Sequence, residues 1–475
     1  MLEGLDAVEI ALSECRSIID FRIDANTYKK EFLKTDSILK RRRTNSIGTI
    51  SKSIQNFGAY SLCNFIHFQD SGIPFLMTKN VRENFIDWNL EKYVDFPSHQ
   101  MLWKSHCHKG QVLITMAGEY LGRVAVYNID REASSNQAIA KVTLVSGQSP
   151  YTISTFLNSK FGQHQIQRFK TITGQPNINM SLIESLRIPE FSNQFSKSIE
   201  VLMHSIDEIR ASASNVYLEA EQTLLEAVGL AEFKPSAQNT NIKTFAQSFG
   251  TSGRLDAEYY QPKYEEVMAE IASQTHAKLV DVVTIKKSIE PGSDAYADEG
   301  LPFIRVSDFS KTGLTTPDKC LSDQYVEANQ KLLNSLKPRR NTILFSKDGS
   351  VGAAYCLRED LQGVTSGAIL HLNLMRDDVL PEYLTLVLNS KLVQMQAERD
   401  AGGSIILHWR VGEIENVILP IIDLTTQTNI SQLVQQSFSL KAQSEHLLNV
   451  AKRAVEIAIE QDEAAAMQFI KTLYF

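Results

Sequence analysis

The heptapeptide Arg22-Ile-Asp-Ala-Asn-Thr-Tyr28 returns later in the chain as Arg254-Leu-Asp-Ala-Glu-Tyr-Tyr260, and it is the first of a series of such matches. SKSIQNFGAY (51–60) resembles KKSIEPGSDAY (286–296), and Gly72-Ile-Pro-Phe75 resembles Gly300-Leu-Pro-Phe303. KGQVLITMAGEYLGRVAVY (109–127) pairs with RRNTILFSKDGSVGAAYCL (339–357), and Leu157-Asn-Ser-Lys160 with Leu388-Asn-Ser-Lys391. LIESLRIPEF (182–191) pairs with EIENVILPII (413–422). The order never changes and the offset stays at roughly 230 residues, so the chain is a duplication of one unit. A fold for this sequence must therefore be built twice.

Each repeat ends in a long helix. From residue 200 to 230, Leu202, Ile206, Ile209, Ala213, Val216, Ala220 and Leu224 recur at steps of three and four, the stripe of a helix with a partner along its length. At 1.5 Å per residue that stretch spans about 45 Å. Near 430–460, Leu433, Leu440, Leu447, Ala451, Ala454 and Ala458 fall near one face, and the small residues permit close approach. The economical arrangement packs the two helices antiparallel, with a globular domain at each end and a pseudo-two-fold axis between them. The alternative is that each helix covers only its own sheet. The domain portions carry short apolar runs (QVLITMA, RVAVYN, NTILFS, GAILHLNL) bounded by Gly, Asp, Asn and Ser, which read as strands. Residues 150–169 and 380–399 have helical period. The expected class is α+β: two similar mixed α/β domains separated by two long antiparallel coiled-coil helices. The expected divisions are an N-terminal segment 1–45, domains 46–192 and 278–424, a first spacer helix 193–232, a linker 233–277, and a second spacer helix with its tail, 425–475. QDEAAAMQFIKTLYF at the end is expected to extend or cap the second helix.

A chain of 475 residues holds two or three cores. No apolar window reaches the length of a membrane span, and the acidic N-terminus lacks a secretion pattern. Five scattered cysteines without a C-x-x-C pair read as reduced thiols, so a cytoplasmic location is expected. The net charge of −7 argues against a uniformly basic nucleic-acid binder but leaves room for a local basic face. Residues 101–191 hold nine Lys or Arg against five Asp or Glu, whereas 191–232 hold two against seven. The first stretch attracts phosphate; the second suits a protein partner or is a solvated acidic face.

No phosphate loop, G-x-S-x-G elbow or Asn-Pro-Pro-Tyr-like methyltransferase motif is present. Gly349-Ser-Val-Gly352 reads as a turn. His106-Cys107-His108 alternates faces and reads as no metal site. Lys347 and Asp348 have no counterparts in Met116 and Ala117, so this position varies between repeats as a recognition position would.

With the repeat laid out, the chain resembles the DNA-specificity subunit of a type I restriction–modification system. The residues that carry the resemblance are Arg254 to Tyr260, Gly300-Leu-Pro-Phe-Ile-Arg-Val-Ser307, Ile343-Leu-Phe-Ser-Lys-Asp-Gly-Ser-Val-Gly352, Gly402-Gly-Ser with Trp409-Arg410, and Leu419-Pro420 before the long helix. The first repeat holds the frame more loosely, with Met116-Ala-Gly118 in place of the polar turn and Gln175-Pro-Asn177 where the second has Trp409. The resemblance implies two target-recognition domains, each reading half of an asymmetric split sequence in double-stranded DNA, and helices that fix the gap. It implies two methyltransferase subunits docked on the helices and using S-adenosylmethionine. Where a restriction subunit joins, that translocase brings ATP and Mg2+. This chain would hold no cofactor, metal or catalytic residue of its own.

Base readout needs side chains with paired donors and acceptors on loops. In the first repeat the candidates are Lys79, Asn80, Arg82, Lys104, His106, Tyr120, Asn136, Gln137, Lys170, Gln175 and Asn177. In the second they are Arg305, Ser307, Asp308, Lys347, Asp348, Ser350, Ser366, Ser404, His408 and Arg410. Trp409 reads as core, and Lys40-Arg-Arg-Arg43 as a clamp on backbone phosphate or a solvated linker. Two competing readings are a nuclease with an unrecognised site and an adaptor or decoy that binds the partner subunits without DNA.

Overall fold

The computed structural model describes residues 7–18, 21–57, 64–171, 174–403 and 406–474. They form two compact units, Met1–Arg210 with Ala442–Phe475, and Ala211–Lys441. The first unit contains β1 (Thr44–Ser46), β2 (Ser51–Gln55), β3 (Phe68–Gln69), β4 (Ile73–Leu76), β5 (Tyr93–Val94), β6 (Val112–Thr115), β7 (Val124–Val126), β8 (Ser134–Ser135), β9 (Ile139–Leu144) and β10 (Arg187–Pro189). The second contains β11 (His276–Lys278), β12 (Val283–Lys287), β13 (Tyr296–Ala297), β14 (Leu301–Ile304), β15 (Phe309–Ser310), β16 (Gly313–Leu314), β17 (Cys320–Leu321), β18 (Ile343–Ser346), β19 (Ala354–Cys356), β20 (Val364–Thr365), β21 (Ile369–Leu374) and β22 (Ile418–Pro420).

The topology is the same in both. A main antiparallel sheet runs β2-β9-β6-β7 in one unit and β12-β21-β18-β19 in the other. A smaller sheet runs β3-β5-β4-β8 and β13-β17-β14-β20, its last pair parallel each time. A two-stranded ribbon, β1-β10 or β11-β22, ties the start of each domain to its end. The mixed α/β class and the internal repeat hold.

The strands exist because runs such as Val112-Leu-Ile-Thr115 are buried on both faces. One face of the first main sheet packs against the helices Pro150–Asn158 and Lys160–Phe169, through Phe156, Leu157, Phe161 and Ile166. The other face borders a second core of Cys107, Leu113, Ala125 and Tyr127. In the second unit Pro381–Asn389 and Lys391–Asp400 play the same part through Leu384, Val387, Leu388 and Leu392. Asn158 and Asn389 lock the helix pair to the sheet. Each amide donates to a strand carbonyl, of Val124 at 2.7 Å or Ala354 at 2.8 Å, and accepts that residue's own N–H. Satisfying a buried strand edge in this way avoids the cost of an unpaired peptide group.

The long helices span Asn193–Ala227 and Leu424–Glu460. In the first unit Leu202, Met203 and Ile206 share a core with Leu447, Leu448, Ala451 and Ala454. In the second unit Ala220 and Leu224 share one with Ile430 and Val434, and the Ser437 hydroxyl donates to the Ala213 carbonyl at 2.7 Å. Early residues of one helix thus meet late residues of the other, so the pairing is antiparallel. Small side chains at Ala213, Ala220 and Ser437 let the backbones approach that closely.

Two readings gain detail. The terminal segment does not continue the second long helix. The chain breaks after Glu460, Asp462 caps a new helix by accepting the Ala465 N–H at 2.8 Å, and Glu463–Tyr474 follows. The Lys40–Arg43 run is exposed, and three of its four cations have protein partners. Arg42 donates to the carbonyls of Ile459 (2.6 Å) and Gln461 (2.8 Å), Lys40 pairs with Asp36, and Arg43 with Glu190. The last turn of a helix leaves carbonyls unpaired at the negative end of its dipole, and a guanidinium suits both.

Candidate DNA interface

The hairpin turn between the third and fourth strands of each main sheet is the centre of the site. In the first unit the Thr115 hydroxyl accepts the Arg123 N–H at 2.9 Å and bonds the Tyr120 carbonyl, closing the turn from inside. Gly118 and Gly122 adopt φ of +84° and +86°, where a side chain is strained. In the second unit the Ser346 hydroxyl accepts the Ala353 N–H at 2.9 Å and bonds the Ser350 carbonyl, with Gly349 and Gly352 at +74° and +84°.

Other segments converge on each turn. Gly118 N–H donates to the Pro176 carbonyl, Ile178 N–H to that of Met116 (2.9 Å each), and Ala117 bridges Asn177. Met116 N–H reaches the Ala138 carbonyl, and Asn136 N–H that of Leu76, which leads into the turn Thr78–Asn80. The second unit repeats this. Gly349 N–H donates to Leu407, Trp409 N–H to Lys347 and Lys347 N–H to Ala368, and Asp348 bridges His408. Ser366 N–H donates to Ile304, before the turn Val306–Asp308. Each unit therefore brings a hairpin, a loop and a short turn onto one platform.

The side chains on the two platforms differ. In the first, two guanidinium groups lie over the Tyr120 ring, Arg123 at 4.5 Å and Arg82 at 5.7 Å from its centroid. Burial, and then the neighbouring Arg82 charge, lower the proton affinity of Arg123, whose Nη1 has no hydrogen-bond partner. Gln175 and Asn177 are exposed beside the turn, and Lys170 is half-buried. Arg82 also reaches Asp87, and Lys79 pairs with Glu91. In the second, Asp348 stands between Lys347 and His408, whose Nδ1 is 2.8 Å away. Ser350, His408 and Arg410 are exposed, and Ser307 is exposed beside Asp308. Arg305 pairs with Asp308 and Asp318.

Several candidates serve the scaffold. Asn80 is buried; its Oδ1 accepts the Met77 N–H at 2.9 Å and its amide donates to the Asp87 carbonyl. Asp308 does the same for the Arg305 N–H at 2.9 Å. Buried Asn136 accepts from Ala138, while its neighbour Gln137 is exposed. Ser366 is buried with its hydroxyl unpartnered. Lys104 and His106 join another cluster. Lys104 lies over the exposed Trp103 ring, and His106 stacks on His99 with 3.8 Å between centroids. Ser404 lies outside the described residues. Trp409 is core, 1% exposed and packed against Phe345. Arg123 is the residue that sequence reasoning passed over. The signal was there, since it follows the turn glycine where the other repeat has Ala353.

Behind each platform sits a buried basic group with a hydroxyl partner. Lys141, opposite Leu113 on β9, donates to the Ser135 hydroxyl at 3.0 Å, and burial brings its ammonium down to about 8. His371, opposite Leu344 on β21, bonds the Thr365 hydroxyl at 2.8 Å, and burial brings it to about 4. Among the described residues no group of three or more His, Cys, Asp or Glu is placed to hold a metal, and no helix is long and apolar enough to cross a membrane.

Solved structures that align include the type I restriction–modification S subunit from M. genitalium, at 12% identity over 88% of this chain and 94% of that one, TM-score 0.38. The HsdS subunit from Thermoanaerobacter tengcongensis aligns at 15% identity over 88% and 97%, TM-score 0.30. Among curated proteins nothing matches significantly. A family model described as the type I restriction modification DNA specificity domain matches residues 275–452, from the first strand of the second repeat into its long helix. The resemblance drawn from the sequence is thus borne out over residues 275–452, which are similar to the type I restriction modification DNA specificity domain.

Proposed function

We propose that the chain is a non-catalytic specificity subunit that reads a two-part DNA sequence, one part with each platform, and recruits methyltransferase subunits. The observation that carries this reading is one scaffold built twice with different polar side chains at the same turn. A reader of two unlike half-sites needs a common frame and different contacts. The first platform offers Arg82, Tyr120, Arg123 and Gln175; the second offers Lys347, Asp348, Ser350 and His408. The long helices serve in this reading as the spacer between half-sites. The methyl donor would be S-adenosylmethionine bound by the partner; ATP and Mg2+ would belong to a restriction subunit.

The test is selection of bound duplexes from a random pool by the assembled methyltransferase complex. Arg82→Ala should relax base preference in one half of the selected sequence, and His408→Ala in the other. Exchange of lysine or arginine for neutral residues on the platforms should lower the slope of affinity against salt. Unchanged affinity, preference and salt slope would favour the adaptor reading. Mg2+-dependent cleavage by the purified chain would favour the nuclease.

A further inference from the structure

In the first unit a cavity of about 470 Å³ lies between residues 22–32 and the helix Lys160–Phe169. Small-ligand clefts span about 300–1,000 Å³, so it has room for one such molecule. Four cations line it, Arg22, Lys29, Arg168 and Lys170, against one carboxylate among the described lining residues, Glu31. Two of the four serve the scaffold. Arg22 bonds Asp24 at 2.6 Å and donates to the carbonyls of Phe169 and Lys170. Arg168 donates to the Thr27 carbonyl at 3.0 Å and pairs with Asp36 at 3.5 Å. The ammonium groups of Lys29 and Lys170 have no partner among the described residues.

The second unit separates what the fold requires from what it does not. Both guanidinium groups are kept, as Arg254, which grips Asp256, and Arg399, which pairs with Asp400. The lysines are not kept: Gln261 stands in place of Lys29 and Ala401 in place of Lys170. Asn26 and Gln167 give way to Glu258 and Glu398. The same frame forms without the two lysines, so they do not serve the frame. Two unpaired ammonium groups on one cavity repel each other, and an anion between them removes that cost.

The other walls define the class of anion. Phe32 and His164 both line the cavity and meet edge to face, 5.6 Å between centroids. The Thr35 hydroxyl bonds His164 Nδ1 at 2.8 Å and fixes the ring. Aromatic side chains receive a nucleobase by stacking, and the amides of Asn26 and Gln167 can pair with its edge. We propose that this cavity binds a free nucleotide, with its phosphate held by Lys29 and Lys170 and its base against Phe32 and His164. A DNA strand offers the same phosphate ester. Thr171 and Pro176 also line the cavity, and the Pro176 carbonyl accepts the Gly118 N–H of the first platform at 2.9 Å. A backbone phosphate has no use for an aromatic wall, which favours the free nucleotide.

The experiment is isothermal titration calorimetry of the full chain with AMP, adenosine, inorganic phosphate and a DNA duplex of unrelated sequence. AMP should bind more tightly than adenosine or phosphate. Lys29→Ala and Lys170→Ala should each weaken AMP binding about tenfold, as loss of a charged hydrogen bond does. Lys29→Arg should retain binding, and Lys331→Ala, at an exposed lysine of the second unit, should leave it unchanged. Lys29 is exposed and Lys170 half-buried, and unchanged melting temperatures confirm folding. Absence of AMP binding, adenosine bound as tightly as AMP, or AMP binding indifferent to both alanine variants would each overturn the proposal. Duplex affinity that falls in those variants, with no AMP bound by the wild type, would assign the lysines to a DNA backbone and overturn it as well. The two-part DNA reading rests on the contrast between the platforms and stands under any of these results.

Discussion

Lys141 offers a quantitative test because its energetic effect is legible in the fold. It is buried in the main sheet of the first unit, and its ammonium titrates near 8 instead of its ordinary 10.5 because burial penalises the charge. At about 1.4 kcal/mol per pH unit, the protonated side chain is destabilised by about 3 kcal/mol at pH 7. Lys141→Met removes the charge and keeps the length. Ser135, which loses a donor, still bonds the Ser105 carbonyl at 3.3 Å, so the lost hydrogen bond costs about 1 kcal/mol. A net gain of about 2 kcal/mol follows at pH 7. The sign of the pH dependence is fixed. Between 8 and 10.5 the unfolded chain binds a proton that the fold does not, so wild-type stability rises with pH relative to the variant. By pH 9.5 the penalty has fallen to about 1 kcal/mol and the advantage of the variant to about zero. Trp88 and Trp103 lie in the first unit and Trp409 in the second, so urea unfolding followed by fluorescence in a Trp409→Phe background reports the first unit. The Cys107 thiol, raised to about 11 by burial, is present in both proteins and largely cancels in the difference. A variant that is less stable at pH 7, or an advantage that does not shrink between pH 7 and 9.5, would refute the reasoning.

Other outcomes follow from the same features. His371 titrates near 4 in the fold against an ordinary 6.5, so the unfolded chain gains a proton first and the second unit should lose about 3 kcal/mol as pH falls from 6.5 to 4; His371→Gln should remove that part of the dependence in Trp409-monitored melts. Gly352→Ala would place a methyl group 2.8 Å from Gln394 Nε2 at a φ of +84°, and should lower the stability of the second unit by about 1–3 kcal/mol in urea titrations. Leu202→Ala, at a fully packed position of the helix seam, should cost about 2–5 kcal/mol by the same measurement.

The parts of the fold that were legible are those set by periodicity. The stripe from Leu202 to Leu224 faces a core, with Ala213 and Ala220 buried where close approach needs them. The shared motifs fall on the same strands and turns in both units. The site was less legible, because residue type does not separate a turn-holding amide from a reading one. Asn80 and Asp308 look like base readers, yet each accepts a backbone N–H three residues back, at 2.9 Å. Their equivalent places in the two repeats were the available clue, since a shared polar residue in a duplicated frame serves the frame. The partners of Lys40–Arg43 were hidden for a different reason: a cation run carries no mark of the helix end it will meet, and Arg42 finds its carbonyls more than four hundred residues away in sequence. Arg123 was missed because its meaning lies in the contrast with Ala353 rather than in any motif.

The central claim is that each domain reads one half of a two-part sequence. It is tested most directly by replacing residues 46–192 with the corresponding domain of another specificity subunit and mapping methylated bases across the genome of a host expressing the complex. The account predicts that one half of the methylated sequence changes while the other half and the gap stay as they were. A change in both halves, or in neither, would contradict it.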